Sequence, residues 1–345
     1  MIRNVLMNCS PSNFGITNNH RSLISVVIYI GKLNMPERPN SERTEAKRKV
    51  VIYYNQLSQR ARRLANRYQT FFVSGACDVT LLPSSASSVR DQTQLMQVSE
   101  RAQECVVIGG DGSINIVVNA LIQAERHRQV ALTVIPVGTG NDFARDHNLK
   151  HWNWRMKAEF ATQVEAVGYV QSNDQSRYFV NHVGTGLSVD LMRLQPHWLK
   201  QSAGHLSYLI ALARYLFGSM TSRSRVRRGN YWDDGQFVAL GRYIGGGFLV
   251  HPQADRRNAM LARIRVPKMP RWRQVKALLN VLRGRIETTA SIDFERGNKF
   301  QLGDTEHVLE LDGDIYFQGP ATVSIATVTI LVSVPYFEIT KGDNS

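Results

Sequence analysis

The sequence predicts a parallel α/β domain followed by a domain of mostly antiparallel β structure. Three observations carry this expectation. Between about residues 49 and 145, short apolar runs alternate with longer segments whose apolar residues recur at helical spacing, the pattern of a parallel sheet covered by helices on both faces. Two of those runs end in glycine-rich turns, GGDGS and PVGTGND, each followed by a helical or polar segment. After about residue 150 the runs become short, alternating and separated by glycine and charged turns, as in antiparallel sheets. A chain of 345 residues has room for both, because single cores rarely grow past ~250–300 residues.

The elements follow in order. Residues 1–45 mix polar residues with one apolar tract, LISVVIYIG, and run into the charged linker PERPNSERTEAKRK; Met35 stands just before it as an alternative start. That tract is shorter than the ~18 residues a membrane span needs, and the N-terminus lacks a signal-peptide layout. KVVIYYN (49–55) is a buried-strand candidate. SQRARRLANRYQTFF is a helix, with Leu64, Tyr68, Phe71 and Phe72 near helical spacing. DVTLL is a second strand, and SSVRDQTQLMQVSERA a helix with a serine cap. ECVVIGG, SINIVVNALIQAERH and ALTVIPV read as strand, helix and strand. Beyond residue 150, YFVNHVGTGLSVDLM is strand-like and HLSYLIALARYLFGSM an amphipathic helix. QFVALGRYIGGGFLV, MLARIRV, ASIDF, HVLELDGD and ATVSIATVTILVSV supply the short alternating runs.

Composition narrows the partners. Lys and Arg outnumber Asp and Glu by 42 to 28, a net charge of +14, which suits nucleic acid, phosphorylated small molecules or an acidic membrane surface, or solubility alone. Aromatics are not clearly interleaved with basic residues on one platform, so nucleic acid is not expected. Cys9, Cys77 and Cys105 are far apart and odd in number, with no CxxC spacing, so neither a disulfide framework nor a cysteine metal cage is implied, which fits a cytoplasmic protein. His182, His197, His205 and His251 show no ligand spacing.

The chemistry is concentrated in the two turns. In Gly109-Gly110-Asp111-Gly112-Ser113 the glycines let backbone N–H groups approach an anion, and a helix N-terminus adds partial positive charge. The spacing is neither GxxxxGK[ST] nor GxGxxG. Asp111 would repel phosphate unless Mg²⁺ lay between them; the competing reading is a tight turn with Asp111 capping its own helix, and this motif alone leaves both open. In Pro136–Arg145, Gly138, Thr139 and Gly140 form a bend, Asn141 and Asp142 supply polar ends, and Arg145 a cation. Adjacent parallel strands would carry both turns to the same carboxyl edge of the sheet, where α/β ligands bind.

GGDGS-I-N, then a helix, a strand and PVGTGNDFAR, resembles the catalytic domain of diacylglycerol kinases and bacterial lipid kinases, which share a fold with sphingosine, ceramide and NAD kinases. GTGLSVD, SYLIALARYLFG, RYIGGGFLVHPQA and ELDGD match later blocks in order, so the resemblance spans about Lys49 to Phe337. It implies an N-terminal nucleotide-binding α/β domain (46–147, with the chain returning at 322–345), a β-sandwich lipid-acceptor domain (148–321), and an active site in the cleft. It implies ATP phosphates on Gly109, Gly110, Asp111, Gly112 and Ser113, with Asn115, Gly138, Thr139, Asn141 and Asp142 completing the nucleotide site. Mg²⁺ would be held by Asp111 and Asp142. The catalytic set is Asp314, Asp111 and Asp312, with Asp314 as proton acceptor where the family has glutamate, one methylene shorter. A bare LDGD is also an ordinary hairpin turn.

Three further departures from the family stand out. The family's Pro-x-Ala-x-x-Asp-Asp-Gly block, associated with a structural Mg²⁺, is here Pro252-Gln253-Ala254-Asp255-Arg256-Arg257-Asn258-Ala259, and Arg257 is the candidate for a fixed cation in its place. Leu240-Gly241 and Asn55-Gln56 replace Asn-Gly and Asn-Pro. The function implied is an ATP- and Mg²⁺-dependent lipid kinase of phospholipid metabolism acting on a membrane lipid such as diacylglycerol. Basic groups at Arg223, Arg225, Arg227 and Arg228, and from Arg256 to Lys276 around Trp272, would dock it peripherally on an anionic inner membrane face. An NAD-kinase-like phosphotransferase and a catalytically inactive lipid- or nucleotide-binding protein are the alternatives.

Overall fold

The computed structural model describes residues 47–157, 159–186, 189, 235–267, 270–304 and 307–336. The N-terminal extension, the helix expected in HLSYLIALARYLFGSM, the 223–228 arginine group, Lys268 and residues 337–345 lie outside them.

The first half alternates as its pattern predicts: β1 (Lys49–Tyr54), α1 (Gln59–Ser74), β2 (Asp78–Pro83), α2 (Ser88–Ser99), β3 (Glu104–Gly109), α3 (Asp111–Gln123), β4 (Ala131–Pro136) and the short α4 (Asp142–Asp146). Local chemistry sets the helix starts. Ser58 Oγ accepts from Ala61 N at 3.2 Å, and Ser87 Oγ from Arg90 N at 3.3 Å. β1, β3 and β4 lie side by side in parallel, with Val50 opposite Glu104 and Gly109 opposite Pro136. They read as unbroken apolar runs because both faces are covered, whereas β2 at the edge alternates in exposure.

After α5 (Trp154–Lys157), β5 (Phe160–Ser172) and β6 (Gln175–Phe179) extend the same sheet. β7 (His182–Thr185), β8 (Gly235–Ala239), β11 (Leu261–Val266), β12 (Asp293–Gly297), β14 (Val308–Leu311) and β15 (Asp314–Gln318) make a second sheet, and β9 (Tyr243–Ile244) pairs with β10 (Phe248–Leu249). Helix α6 (Arg271–Leu282), β13 (Lys299–Leu302) and β16 (Ala321–Pro335) complete the described elements. Among the described residues the larger sheet has eight strands in the order β2-β1-β3-β4-β16-β5-β6, with β13 also on β16, and the second has six, all antiparallel. β16 runs parallel to β4 and antiparallel to β5.

Three details differ from the sequence expectation. YFVNHVGTG is not one strand: it breaks at Val180–Asn181, where the chain leaves the larger sheet for the smaller one. The third helix stops at Gln123, short of His127. The basic run from Arg271 onward is a helix, which its cation content concealed.

In the order 2-1-3-4, β1 and β3 are neighbours whose chain connections run in opposite directions. Right-handed crossovers therefore put α1 on one face and α2 and α3 on the other, opening a crevice at the carboxyl ends of β1 and β3. The loops after β3 and β4 both lie along that edge.

Candidate active site

The two glycine turns meet backbone to backbone. A Cβ on Gly138 would fall 2.4 Å from the Gly110 Cα, a separation that real side chains do not adopt, so the approach requires glycine. Asn141 then takes a left-handed backbone (φ 52°), and its Nδ2 donates to Gly138 O at 2.6 Å, tying off the bend.

Asp111 is the first residue of α3, and Gly110, at the cap, offers that helix no side-chain bond. Its carboxylate reaches across to the next helix: Oδ2 accepts from Asp142 N at 3.1 Å and Oδ1 from Phe143 N at 3.0 Å. Asp111 thus caps α4, not its own helix, and its negative charge faces the positive end of α4. Asn181 Nδ2 adds a third donor, to Oδ1 at 2.9 Å.

Asp142 is buried and half-partnered. Oδ2 accepts from Gly246 N at 2.9 Å, while Oδ1 has no hydrogen-bond partner, and neither does buried Asn141 Oδ1. Burial, then the nearby charge of Asp111, push the Asp142 carboxyl up to about 7. Arg145 packs over the Tyr243 ring, 5.8 Å from its centroid, and reaches back to Gly140 O at 3.4 Å.

The Asp312-Gly313 turn closes the other wall. Both residues have positive φ (50° and 94°), the backbone of a tight hairpin, so LDGD forms the hairpin turn. Asp312 is buried, and its carboxylate collects four donors: Asn115 Nδ2 (2.8 Å), Val180 N (2.8 Å), Asn181 N (2.7 Å) and His182 N (3.1 Å). Asp312 therefore holds protein together across the sheet-to-sheet break and has no face toward a substrate. Asn115 is similar: buried, with Nδ2 on Tyr178 O and Asp312 and Oδ1 on Arg177 and Asn119, it fastens α3 to β6. Glu310 Oε2 accepts from Gly313 N (3.1 Å), and Glu310 pairs with His182 Nε2 at 2.9 Å. Burial lowers the His182 pKa; Glu310 more than offsets that, and the ring is held at about 9.

This bracing leaves Asp314 as the exposed acid of the turn. A Cβ on Gly112 would lie 2.8 Å from Asp314 Oδ2, so the carboxylate rests directly against the glycine loop. Ser113 Oγ folds back over Gly109, and Thr139 sits half-buried in the bend after β4. The two glycine turns, Asp111, Asp142 and Asp314 lie in close approach to one another, with Asp312 and Asn115 bracing them from behind.

The cation expected at Arg257 is a correction. Arg257 is exposed and bonds Asp255. Its neighbour Arg256 is buried, pairs with Asp146 Oδ2 at 2.7 Å, donates to Val180 O (2.5 Å) and Asn181 Oδ1 (3.0 Å), and lies over the Phe143 ring. Burial acts to raise the Asp146 pKa, but Arg256, His147 and Arg242 outweigh it and hold it at about 2.

The sequence reading missed Asn181, His182, Glu310 and Arg256 as site residues. Asn181-His182 carried a signal, two polar residues inside an apolar run. Arg256 carried none, because its burial depends on Asp146, 110 positions earlier.

A family model, the diacylglycerol kinase catalytic domain, matches residues 49–171. Lipid kinase YegS of Escherichia coli K12 is 32% identical over 151 residues, and a YegS protein of Shigella dysenteriae serotype 1 is 33% identical. Residues 49–171 are thus similar to the diacylglycerol kinase catalytic-domain family. The YegS alignments cover 42% of this chain and 50% of each relative, so the chain spans about half the length of the curated relatives it matches. The crystal structure of a diacylglycerol kinase from Bacillus anthracis strain Sterne superposes with a TM-score of 0.55 at 16% identity, covering 84% of this chain and 97% of that one. A second structure from that strain gives a TM-score of 0.59 at 16% identity, over 85% of this chain and 98% of the other. At such identity these two carry the fold: the diacylglycerol kinase architecture of an α/β part and an antiparallel β part extends beyond the matched segment.

Proposed function

We propose that the chain is an ATP-dependent lipid kinase that transfers the γ-phosphate to the hydroxyl of a membrane lipid such as diacylglycerol. The observation that carries this reading is Asp314: an exposed carboxylate set against the phosphate-type glycine loop, with Asp111 and Asp142 across the same crevice.

The residues present fit a Mg²⁺ ion. Asp142 Oδ1 and Asn141 Oδ1 are buried oxygens without partners, and these would hold it, with Asp111 alongside. Among the described residues no group of three or more His, Cys, Asp or Glu could hold a metal ion. When bound, Mg²⁺ neutralises charge on the triphosphate. The chain's own groups do the rest. Backbone N–H groups of 109–113 and the N-terminus of α3 balance the phosphate oxygens. Asp314 takes the proton as the lipid hydroxyl oxygen bonds to the γ-phosphorus and the bond from that phosphorus to the β-phosphate bridging oxygen breaks, releasing ADP.

We divide the chain into an extension (1–45), a nucleotide part (46–147 with the return at 322–345) and an acceptor part (148–321); β16 between β4 and β5 supports the return. Exposed Trp272, Lys276 and Leu279 recur along α6 with Arg273 beside them, and this supports peripheral contact with an anionic bilayer at the cytoplasmic face. No helix among the described residues is long and apolar enough to cross a membrane.

The test is transfer of labelled γ-phosphate from ATP to lipid in vesicles of varied composition, with Mg²⁺. Wild-type protein should label one lipid class, and Asp314→Asn should reduce the rate about 10²–10⁴-fold. Labelling of NAD and no lipid would move the reading to an NAD-kinase-like enzyme; ATP binding with no transfer to any acceptor would make the protein a binding module.

A further inference from the structure

We infer that Arg256 is a positioning residue that fixes the amide of Asn181, and through it the orientation of the Asp111 carboxylate; as a statement about catalysis this rests on the kinase reading above. Asn181 stands at the break between β6 and β7, where the chain passes from the larger sheet to the smaller. Its backbone is pinned on both sides: N donates to Asp312 Oδ1, and O accepts from Leu240 N at 2.8 Å and Gly241 N at 3.3 Å. Only the side-chain amide retains a choice, which end faces Asp111.

Chemistry makes that choice. A carboxylate only accepts and a guanidinium only donates. Arg256 Nη2 against one end of the amide requires Oδ1 there, at 3.0 Å, and so turns Nδ2 toward Asp111 Oδ1, at 2.9 Å. The flipped amide would set oxygen against carboxylate and N–H against guanidinium, two repulsions in a buried site. Arg256 is itself fixed by Asp146 and stacked 4.8 Å from the Phe143 ring centroid. Asp146 and Phe143 belong to α4, whose first N–H groups Asp111 caps. The contacts close a ring from Asp111 through Asn181, Arg256 and α4 back to Asp111. The ring contains residues from both sheets' connections, so the geometry of the site acid depends on how the two sheets are seated on each other.

Asn181→Asp separates positioning from mere support. It keeps an oxygen for Arg256 and strengthens that pair, but replaces the donor to Asp111 with negative charge. A supporting role predicts wild-type kcat. Positioning predicts kcat down about 10- to 100-fold, the range for removing a group that orients a ligand, with KM for ATP changed less than about threefold. Arg256→Gln should lower kcat similarly, the Arg256→Gln/Asn181→Ala double variant should be no worse than the poorer of its two singles, and Arg257→Gln should match wild type. A second readout needs no turnover: amide hydrogen exchange at Asp142 and Phe143, measured by NMR, should speed up about tenfold in Arg256→Gln and Asn181→Asp while β3 amides are unchanged. Wild-type kcat in Asn181→Asp, additive losses in the double variant, or unchanged exchange at Phe143 would each overturn the inference. Should Arg256→Gln not fold, Arg256→Lys and Asn181→Asp decide by the same readouts. Absence of phosphate transfer in wild-type protein would sink the kinase reading, and the exchange experiment would still decide the ring.

Discussion

Strand β3 has a buried acid at one end and the site acids at the other, and the two ends treat charge in opposite ways. Glu104, its first residue, is fully enclosed by donors. Oε1 accepts from Thr133 (2.6 Å) and Arg155 Nε (2.9 Å), and Oε2 from Arg48 (2.8 Å) and Arg155 Nη2 (2.9 Å). Arg155 is in turn packed over the Phe160 ring, 3.7 Å from its centroid. Past the other end, Asp142 keeps one oxygen without a partner and a carboxyl pushed up to about 7. A structural charge is closed on all sides, whereas the candidate ligand-binding charge is held in place with one valence open. That difference distinguishes a buried ion pair from a site more sharply than burial does, since both groups are buried.

The comparison breaks first at Glu104. Glu104→Gln leaves the buried Arg155 without its counter-charge, and we expect a loss of about 3–5 kcal/mol in urea unfolding with little change in kcat of the folded fraction. A stability loss below 1 kcal/mol would show that the enclosure is not a structural clamp.

Asp142→Asn should do the reverse. The folded carboxyl sits at about 7 against 3.8 for the ordinary group, so between pH 4 and 7 the folded state keeps a proton that the unfolded chain releases. Stability is therefore lost as pH rises through that window and stays lost above it. Asparagine removes the penalty, and the variant should melt about 3 °C above wild type at pH 8, a gain of roughly 2 kcal/mol, and level with it at pH 4, while Mg²⁺-dependent transfer collapses. A variant less stable at pH 8 would mean that Asp142 is a structural group like Glu104.

The smallest effect is expected where neither rule applies. Arg263 and Glu295 form an exposed pair on the second sheet, and Arg263→Gln should change unfolding by less than about 1 kcal/mol. A larger effect would show that surface pairs in this chain behave as the enclosed ones do.

Legibility in the sequence followed locality. The α/β half was readable because period, caps and turn glycines all lie within a few residues of what they control; Ser58, Ser87 and the GGDGS and GTGND turns are examples. β5 offers no clean alternation in FATQVEAVGYVQS, since Glu165 and Ser172 are buried while Val164 is half-buried. The candidate acids were legible as types, but their division of labour was not. Nothing near Asp111 announces that it caps a helix 31 residues on, and nothing near Asp312 announces that its carboxylate gathers backbone N–H groups 130 positions earlier. Between Arg256 and Arg257 the sequence offered no criterion, since the distinction is which of two adjacent arginines points at Asp146.

Strand β16 has a consequence for how this protein can be divided. It arrives about 150 residues after β5 ends, yet it lies between β4 and β5 and pairs with both, with register running from Thr322 opposite Gln171 to Pro335 opposite Phe160. The stretch that carries the family's likeness, 49–171, therefore omits the strand that joins its own fourth and fifth. Excised at those limits, it would also lose β6, leaving one edge of β4 and both edges of β5 unpaired, the arrangement that favours aggregation. The unit of homology is not the unit of folding here, and any truncation meant to isolate the nucleotide part must carry Ala321–Pro335 with it.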